Sequence, residues 1–422
     1  MSFSLALMAY QSEELADSLI EQLLESKDHV VRYGGAYAIG MAYVGTGNTK
    51  AVRKLLSITA SDVNDDVRRA AVISIGFIML NQPERVPKII NLLINSYNSQ
   101  VRFGAAMAIG VACAGSNQKE ALSCLEKLQQ DNSGFVRQGV VIAMSLVMQQ
   151  ATKNNNPIVE EFKDQLMEKI KKKGEDNIYK FGAMIGLGIL EAGGKNSVVT
   201  LTSQSGNCKK GAIIGMAMFT QYWYWFPFVQ MIGLSLEPTF LIGVNKDLKI
   251  PKSFTVRCNT KKSTFDYPPI KLNEDNKNEK DKVVVELSTT RRVKAKLAIK
   301  DLAKGKSKMD EETPLEKTVS KMDAEEITSK PAKIEPEEPS TCELSNPCRV
   351  LKKQQNYIEF LQNQRYSPVF GNRKRGYVFL KDSRPDEPEE FVDDEPLQAW
   401  LIPPPDFYFD ESLQEPLGEP QK

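Results

Sequence analysis

Six cysteines and one histidine are the residues of this chain best suited to metal binding or nucleophilic chemistry. The cysteines stand at 113, 124, 208, 258, 342 and 348, and no two form a CxxC pair. A zinc site needs ligands at short, paired spacings, so neither a metal nor another cofactor is expected. Scattered thiols fit a reduced, intracellular compartment. His29 lies in the polar turn "SKDHVV" ahead of a helical pattern and reads as an exposed neighbour of a helix cap. A lone histidine leaves the commonest general base out of almost every catalytic arrangement. HExxH, GxSxG and a complete GxxxxGK[ST] are all absent from the sequence. "GTGNTK" at 45–50 has part of a phosphate loop, but no strand precedes it and its slot recurs elsewhere without the lysine, so it reads as a turn. No catalytic residue is therefore assigned. Charge is balanced, 55 Lys+Arg against 54 Asp+Glu. No global field favours nucleic acid or an anionic membrane.

The elements that would have to position any site are repeats. "VRYGGAYAIG", "VRRAAVISIG", "VRFGAAMAIG" and "VRQGVVIAMS" begin at residues 31, 67, 101 and 136 and align without gaps. "YKFGAMIGLG" follows at 179 and a weaker copy, "CKKGAIIGMA", at 208. A period in the mid-thirties with two helical patterns per unit predicts stacked helix hairpins. Each unit opens on a polar turn, runs through an apolar small-residue helix, turns at a glycine as in "GTGN", "GSN" or "GGKN", and continues into an amphipathic helix. Glycine after a helix supplies a residue of positive φ. Glycines inside the first helix cost about 1 kcal/mol each relative to alanine. They recur at Gly34, Gly104, Gly139 and Gly182, and six residues later at Gly40, Gly76, Gly110 and Gly188, with Ser145 in the fourth copy. Such positions predict an inner helix layer packed at close range, which a leucine at Gly110 would overpack.

From Gly211 to Leu236 the chain carries no charge, a length that could cross a bilayer. Its aromatics cluster at the middle, at 222–226, whereas a membrane span keeps Trp and Tyr at its ends. Pro227 interrupts it. The run reads as a buried terminal repeat helix capped by an aromatic plug. Beyond it, "PTFLIGVNKDLKIPKSFTVRC", "DKVVVELSTTRRVKAKLAIK" and "RGYVFLKD" carry strand signals. Residues 273–280 and 303–340 have too few apolar side chains for a core. The basic stretch 291–308 has no interleaved aromatics for base stacking, so a solvated linker is preferred over a nucleic-acid or nuclear-import segment. The predicted organisation is repeats over 1–235, a β-rich domain begun at 236–272 and finished at 341–382, a charged linker over 273–340, and an acidic disordered tail over 383–422. Within the tail, "PPPDFYFDE" sets three aromatics after prolines, which limits the entropy lost on docking.

"SDVNDDVRRAAV" (61–72), "VRFGAAMAIGVACAG" (101–115) and "KFGAMIGLGILEAGG" (180–194) resemble the proteasome/cyclosome-repeat family of scaffold subunits. "FTQYWYWFP" (219–227) and "LIGVNKDLKIPK" (241–252) extend the resemblance beyond the repeat consensus. The resemblance implies a mainly α fold, an α-solenoid or toroid of helix hairpins followed by a small β-rich domain. It implies a non-catalytic scaffold of the proteasome regulatory particle, cytoplasmic and nuclear. The implied partners are the ATPase ring, the lid subunits and the intrinsic ubiquitin receptor, with neither nucleic acid nor membrane. The tail residues Pro404, Pro405, Phe407, Tyr408, Phe409 and Asp410 resemble the family's receptor-docking peptide, although here eleven further residues, 412–422, follow it. The chain holds about half the repeats of a closed ring and resembles the C-terminal half of such a subunit. A half ring leaves an apolar edge uncovered. A free α-solenoid adaptor, a non-functional truncated paralogue and an integral membrane protein are the competing readings.

Overall fold

The computed structural model describes residues 2–153, 156–203, 205–222, 226–261, 264–265, 339–371 and 374–392. Its first part is a stack of helix hairpins. The inner layer is α1 (Ser2–Met8), α3 (His29–Ala42), α5 (Asp65–Ile78), α7 (Ser99–Ala112), α9 (Gly134–Val147) and α11 (Asn177–Leu190). Each packs on the next in that order. The outer layer is α2 (Asp17–Leu24), α4 (Thr49–Ser61), α6 (Val86–Ile94), α8 (Lys119–Glu126) and α10 (Ile158–Lys171).

The polar turns start the helices. Asp28, Asn48, Asn64, Asn98 and Asp176 each accept a hydrogen bond from a backbone N–H of the helix they precede. Such N-caps contribute roughly 1 kcal/mol apiece. The central inner helices α3, α5, α7 and α9 bury most of their residues, as from Tyr33 to Ala42, whereas α1 buries Ala6 alone and α11 buries Gly182, Ala183, Gly186, Ile189 and Leu190. The outer ones bury a single face, as α4 does with Ala51, Val52, Leu55 and Thr59. Gly45 and Gly115 end inner helices at φ +71° and +66°. Their amides donate to Phe77 O and Leu146 O at 3.0 and 2.8 Å, so each turn is tied to the end of another inner helix.

The first hairpin, α1 and α2, belongs to the same stack. Its inner helix has 7 residues against 14 in α3, too short to present the repeat's glycine pattern.

The uncharged run departs from the single helix expected for it. It forms α12 (Lys210–Phe219) and a 3-10 segment (Phe226–Ser235) that packs back on α12. A methyl group built at Gly215 would stand 2.5 Å from Leu234 Cβ and 2.7 Å from Met231 O. The weak sixth copy therefore does not extend the stack; α12 packs on its own continuation. Of the expected plug at 222–226, Tyr222 is buried and Phe226 is exposed, and Trp223, Tyr224 and Trp225 lie outside the described residues. No helix of the described residues is long and apolar enough to cross a membrane.

The remaining elements are strands. β1 (Ser197–Val199) pairs antiparallel with β2 (Leu236–Pro238). β3 (Leu241–Val244) runs parallel to β8 (Gly376–Asp382), which also takes β7 (Tyr366–Pro368) antiparallel. β4 (Thr255–Cys258) lies between β5 (Cys342–Ser345) and β6 (Ile358–Phe360), antiparallel to both. Leu241, Phe254, Val256, Val350, Ile358, Tyr366, Val378 and Leu380 form one buried core. The strand signals at 238–258 and 375–382 thus fall on β2, β3, β4 and β8; that at 281–300 lies outside the described residues.

Candidate functional site

Close contact between inner helices is the feature most tightly specified by residue type. A methyl group at Gly40 would stand 2.8 Å from Ser74 Cβ. At Gly76 it would meet Ala108 O at 2.7 Å, and at Gly110 it would meet Ala143 Cα at 2.8 Å. The other glycine set is as crowded. Gly34 faces Ser2, Gly104 faces Arg69 O, Gly139 faces the Phe103 ring and Gly182 faces Gln138. Gly188 is the exception, with nothing within 4 Å. Its copy is the last in the stack, so no following inner helix covers it. The contact that closes α9 on α11 is made instead at Gly186, where an added methyl group would stand 2.7 Å from Ser145 Oγ. Sequence alignment pointed past it, because the residue that receives a neighbour lies two positions before the one that offers.

A second ladder follows the arginine of each "VR" pair. Arg32 donates to both carboxylate oxygens of Asp62 at 2.8 and 3.1 Å, and Arg102 to those of Asp131 at 2.6 and 3.0 Å. Burial pushes these carboxyls up, but the paired guanidinium and a backbone N–H outweigh it and hold both below the usual carboxylate range. Arg68 and Arg137 donate to the carbonyls of Asp62 and Asp131. These ties join the polar turns along one edge of the stack.

The inner face carries a buried polar belt. Tyr33 Oη donates to Gln221 Oε1 at 2.5 Å, and Tyr37 Oη shares a hydrogen bond with Thr220 Oγ1 at 2.9 Å. Both partners follow α12, so α12 is fastened to α3. Arg69, 2% exposed, reaches Asp66 at 3.1 Å and Gln100 at 2.8 Å. At the junction with the strands, Gln150 donates to Lys195 O, Ser197 O and Thr239 Oγ1 and accepts from Lys352 N. Arg349 ties Asn196 and Gly194 from the strand side.

The chemistry available to these groups is limited. Burial pushes the Cys113 and Cys348 thiols up to about 12, so neither is a ready thiolate near neutral pH. His29 is exposed, the first residue of α3. Among the described residues no three His, Cys, Asp or Glu side chains gather as a metal site would require. In "GTGNTK" the Gly45 and Gly47 amides already donate to Phe77 O and Ile78 O, so they cannot cradle a phosphate. A cleft of 730 Å³ opens beside β8, where Arg365 is bound by Asp382 and Glu389 and the exposed Val369 and Phe379 form an apolar wall. The tail residues Pro404, Pro405, Phe407, Tyr408, Phe409 and Asp410 lie outside the described residues.

Residues 52–145 match HEAT repeats, in agreement with the helix hairpins. Residues 239–392 match the 26S proteasome regulatory subunit RPN2 C-terminal domain. The chain is 43% identical over 407 residues to 26S proteasome non-ATPase regulatory subunit 1 homolog A of Arabidopsis thaliana, covering 92% of this chain and 40% of the relative. It is 41% identical over 404 residues to 26S proteasome non-ATPase regulatory subunit 1 of Dictyostelium discoideum, with 93% and 40% covered. For the Drosophila melanogaster protein of that name the identity is 37% over 441 residues, with 95% and 43% covered. The chain spans about two fifths of the length of these relatives. By repeats, strand domain and near end-to-end similarity, it belongs to the family of 26S proteasome non-ATPase regulatory subunit 1 and RPN2.

Proposed function

We propose that this chain is a non-catalytic scaffold of the proteasome regulatory particle, in cytoplasm and nucleus. In this reading it supports ubiquitin-dependent degradation by holding the ATPase ring, the lid and a ubiquitin receptor in fixed relation. The observation that carries the reading is the backbone-range packing of α3, α5, α7 and α9 at Gly40, Gly76 and Gly110. Such packing makes a stiff layer, which suits a part that must transmit position rather than perform chemistry. The family relation supports these partners. The outer face of α11, with Ile178 and Met184 about half exposed and Gly188 uncovered, is where a further repeat would stack. The acidic tail is the segment proposed to dock the receptor, through Phe407, Tyr408 and Phe409.

Affinity purification of the tagged chain from native lysate, with mass spectrometry of the eluate, tests the proposal. ATPase and lid subunits are expected together. An eluate without them overturns the scaffold reading in favour of a free adaptor or a non-assembling paralogue. A chain ended at residue 392 is expected to keep the ATPase and lid subunits and lose the receptor.

A further inference from the structure

We infer that Cys258 and Cys342 form a reversible disulfide that locks β5 onto β4 under peroxide. The two residues are direct partners in the antiparallel register, Cys258 opposite Cys342. They share the inner face of the sheet with the pair two residues away, buried Val256 opposite Leu344, which packs against the core. Their side chains therefore project to the same side. The ladder fixes the spacing. Asn346 N–H donates to Phe254 O, and on the other edge Asn259 N–H donates to Tyr357 O. Alternation from those bonds makes Cys258–Cys342 a hydrogen-bonded pair. Such a pair holds its Cα atoms roughly 5.5 Å apart, inside the roughly 4.4–6.8 Å span of a disulfide.

The surroundings assign different roles to the two sulfurs. Cys342 is partly exposed on an edge strand and meets the oxidant first. Cys258 is fully buried, and its sulfur accepts a hydrogen bond from the Gln354 side-chain amide at 3.6 Å and contacts Thr260 Oγ1 at 3.1 Å. The Cys342 thiolate attacks the peroxide O–O bond, giving a sulfenic acid and a hydroxide that takes up the proton Cys342 had lost and leaves as water. Cys258, as thiolate, then attacks that sulfur; the S–S bond forms, the S–O bond breaks, and the departing hydroxide takes up the proton Cys258 released. Two thiols are oxidised and one peroxide is reduced to two waters. The bond fixes the point at which the chain between them, residues 259–341, leaves and re-enters the sheet. Cys113 and Cys124, buried in the repeat stack, share no such strand register.

The test uses the full chain, reduced, desalted, exposed to hydrogen peroxide, alkylated and digested for mass spectrometry. A Cys258–Cys342 peptide pair is expected, lost on treatment with dithiothreitol. Cys348→Ser should leave that pair in place, and Cys342→Ser should leave Cys258 alkylated. The inference is overturned if both cysteines remain alkylatable after peroxide, if Cys258 links to Cys348 instead, or if the pair forms only in urea.

Discussion

The repeat stack and the strand domain solve the same problem at different sequence distances. In the stack, Gly76 meets Ala108 and Gly110 meets Ala143, each one repeat away. In the strand domain, β3 pairs with β8 and β4 with β5, across intervals that include residues 266–338. The stack is thus held by many copies of one local contact. The strand domain depends on single, unrepeated long-range contacts such as those of Asn346. Its side chain accepts from Gly243 N at 2.8 Å and donates to Gly243 O and Pro251 O at 3.0 and 2.9 Å. Repetition spreads stability over the stack; the strand domain concentrates it.

The largest effect expected is from Gly110→Leu. Its first added carbon already collides with the Ala143 backbone, so the helices must separate, at about 3 kcal/mol or more. Chemical denaturation followed by far-UV circular dichroism should show the helical transition moving to lower denaturant.

Asn346→Ala strikes the other region. It strands buried backbone groups of Gly243 and Pro251, at about 2–3 kcal/mol in sum. Hydrogen exchange should rise in β3, β4 and β8 while α5, α7 and α9 stay protected. Equal loss in both regions would show that they unfold as one unit.

A smaller effect is expected from Asp131→Asn, about 1 kcal/mol at neutral pH. Arg102 holds the Asp131 carboxyl below its ordinary value. The carboxylate's contribution is therefore present above the unfolded pKa and lost as pH falls through the lower folded one. The gap between mutant and parent melting temperatures should close below about pH 4.

The smallest is Gly188→Ala, which should stabilise the chain by up to about 1 kcal/mol. Nothing stands within 4 Å of the added methyl. A destabilised Gly188→Ala, in the chain alone, would mean that α11 is covered after all.

The same contrast governs how much was legible in the sequence. The inner-layer glycines could be read because five copies aligned, and repetition separates a packing position from chance. Gly188 misled for the same reason, since alignment carries a role into a copy that has no neighbour to use it. Strands β1, β5, β6 and β7 were missed because each is three or four residues standing alone, whereas the equally short β2, β3 and β4 lie together in one longer alternating stretch at 236–258. Gln150 gave no signal either. Its role comes from a positive φ of 59° and from partners at 195, 197, 239 and 352. The arginine ladder was visible as a repeated "VR" but its acceptors, Asp62 and Asp131, sit in turns whose geometry only the fold fixes. The run at 211–236 showed its apolar character plainly, while the packing of its second half back on α12 left no periodic trace.

The central claim is assembly, and fractionation of untreated lysate by size tests it most directly. Native lysate would be resolved by size exclusion and each fraction probed for this chain and for a proteasome ATPase subunit. The account predicts that the two co-migrate at very large size. A chain that elutes by itself, near the 47.3 kDa of its own mass, contradicts it.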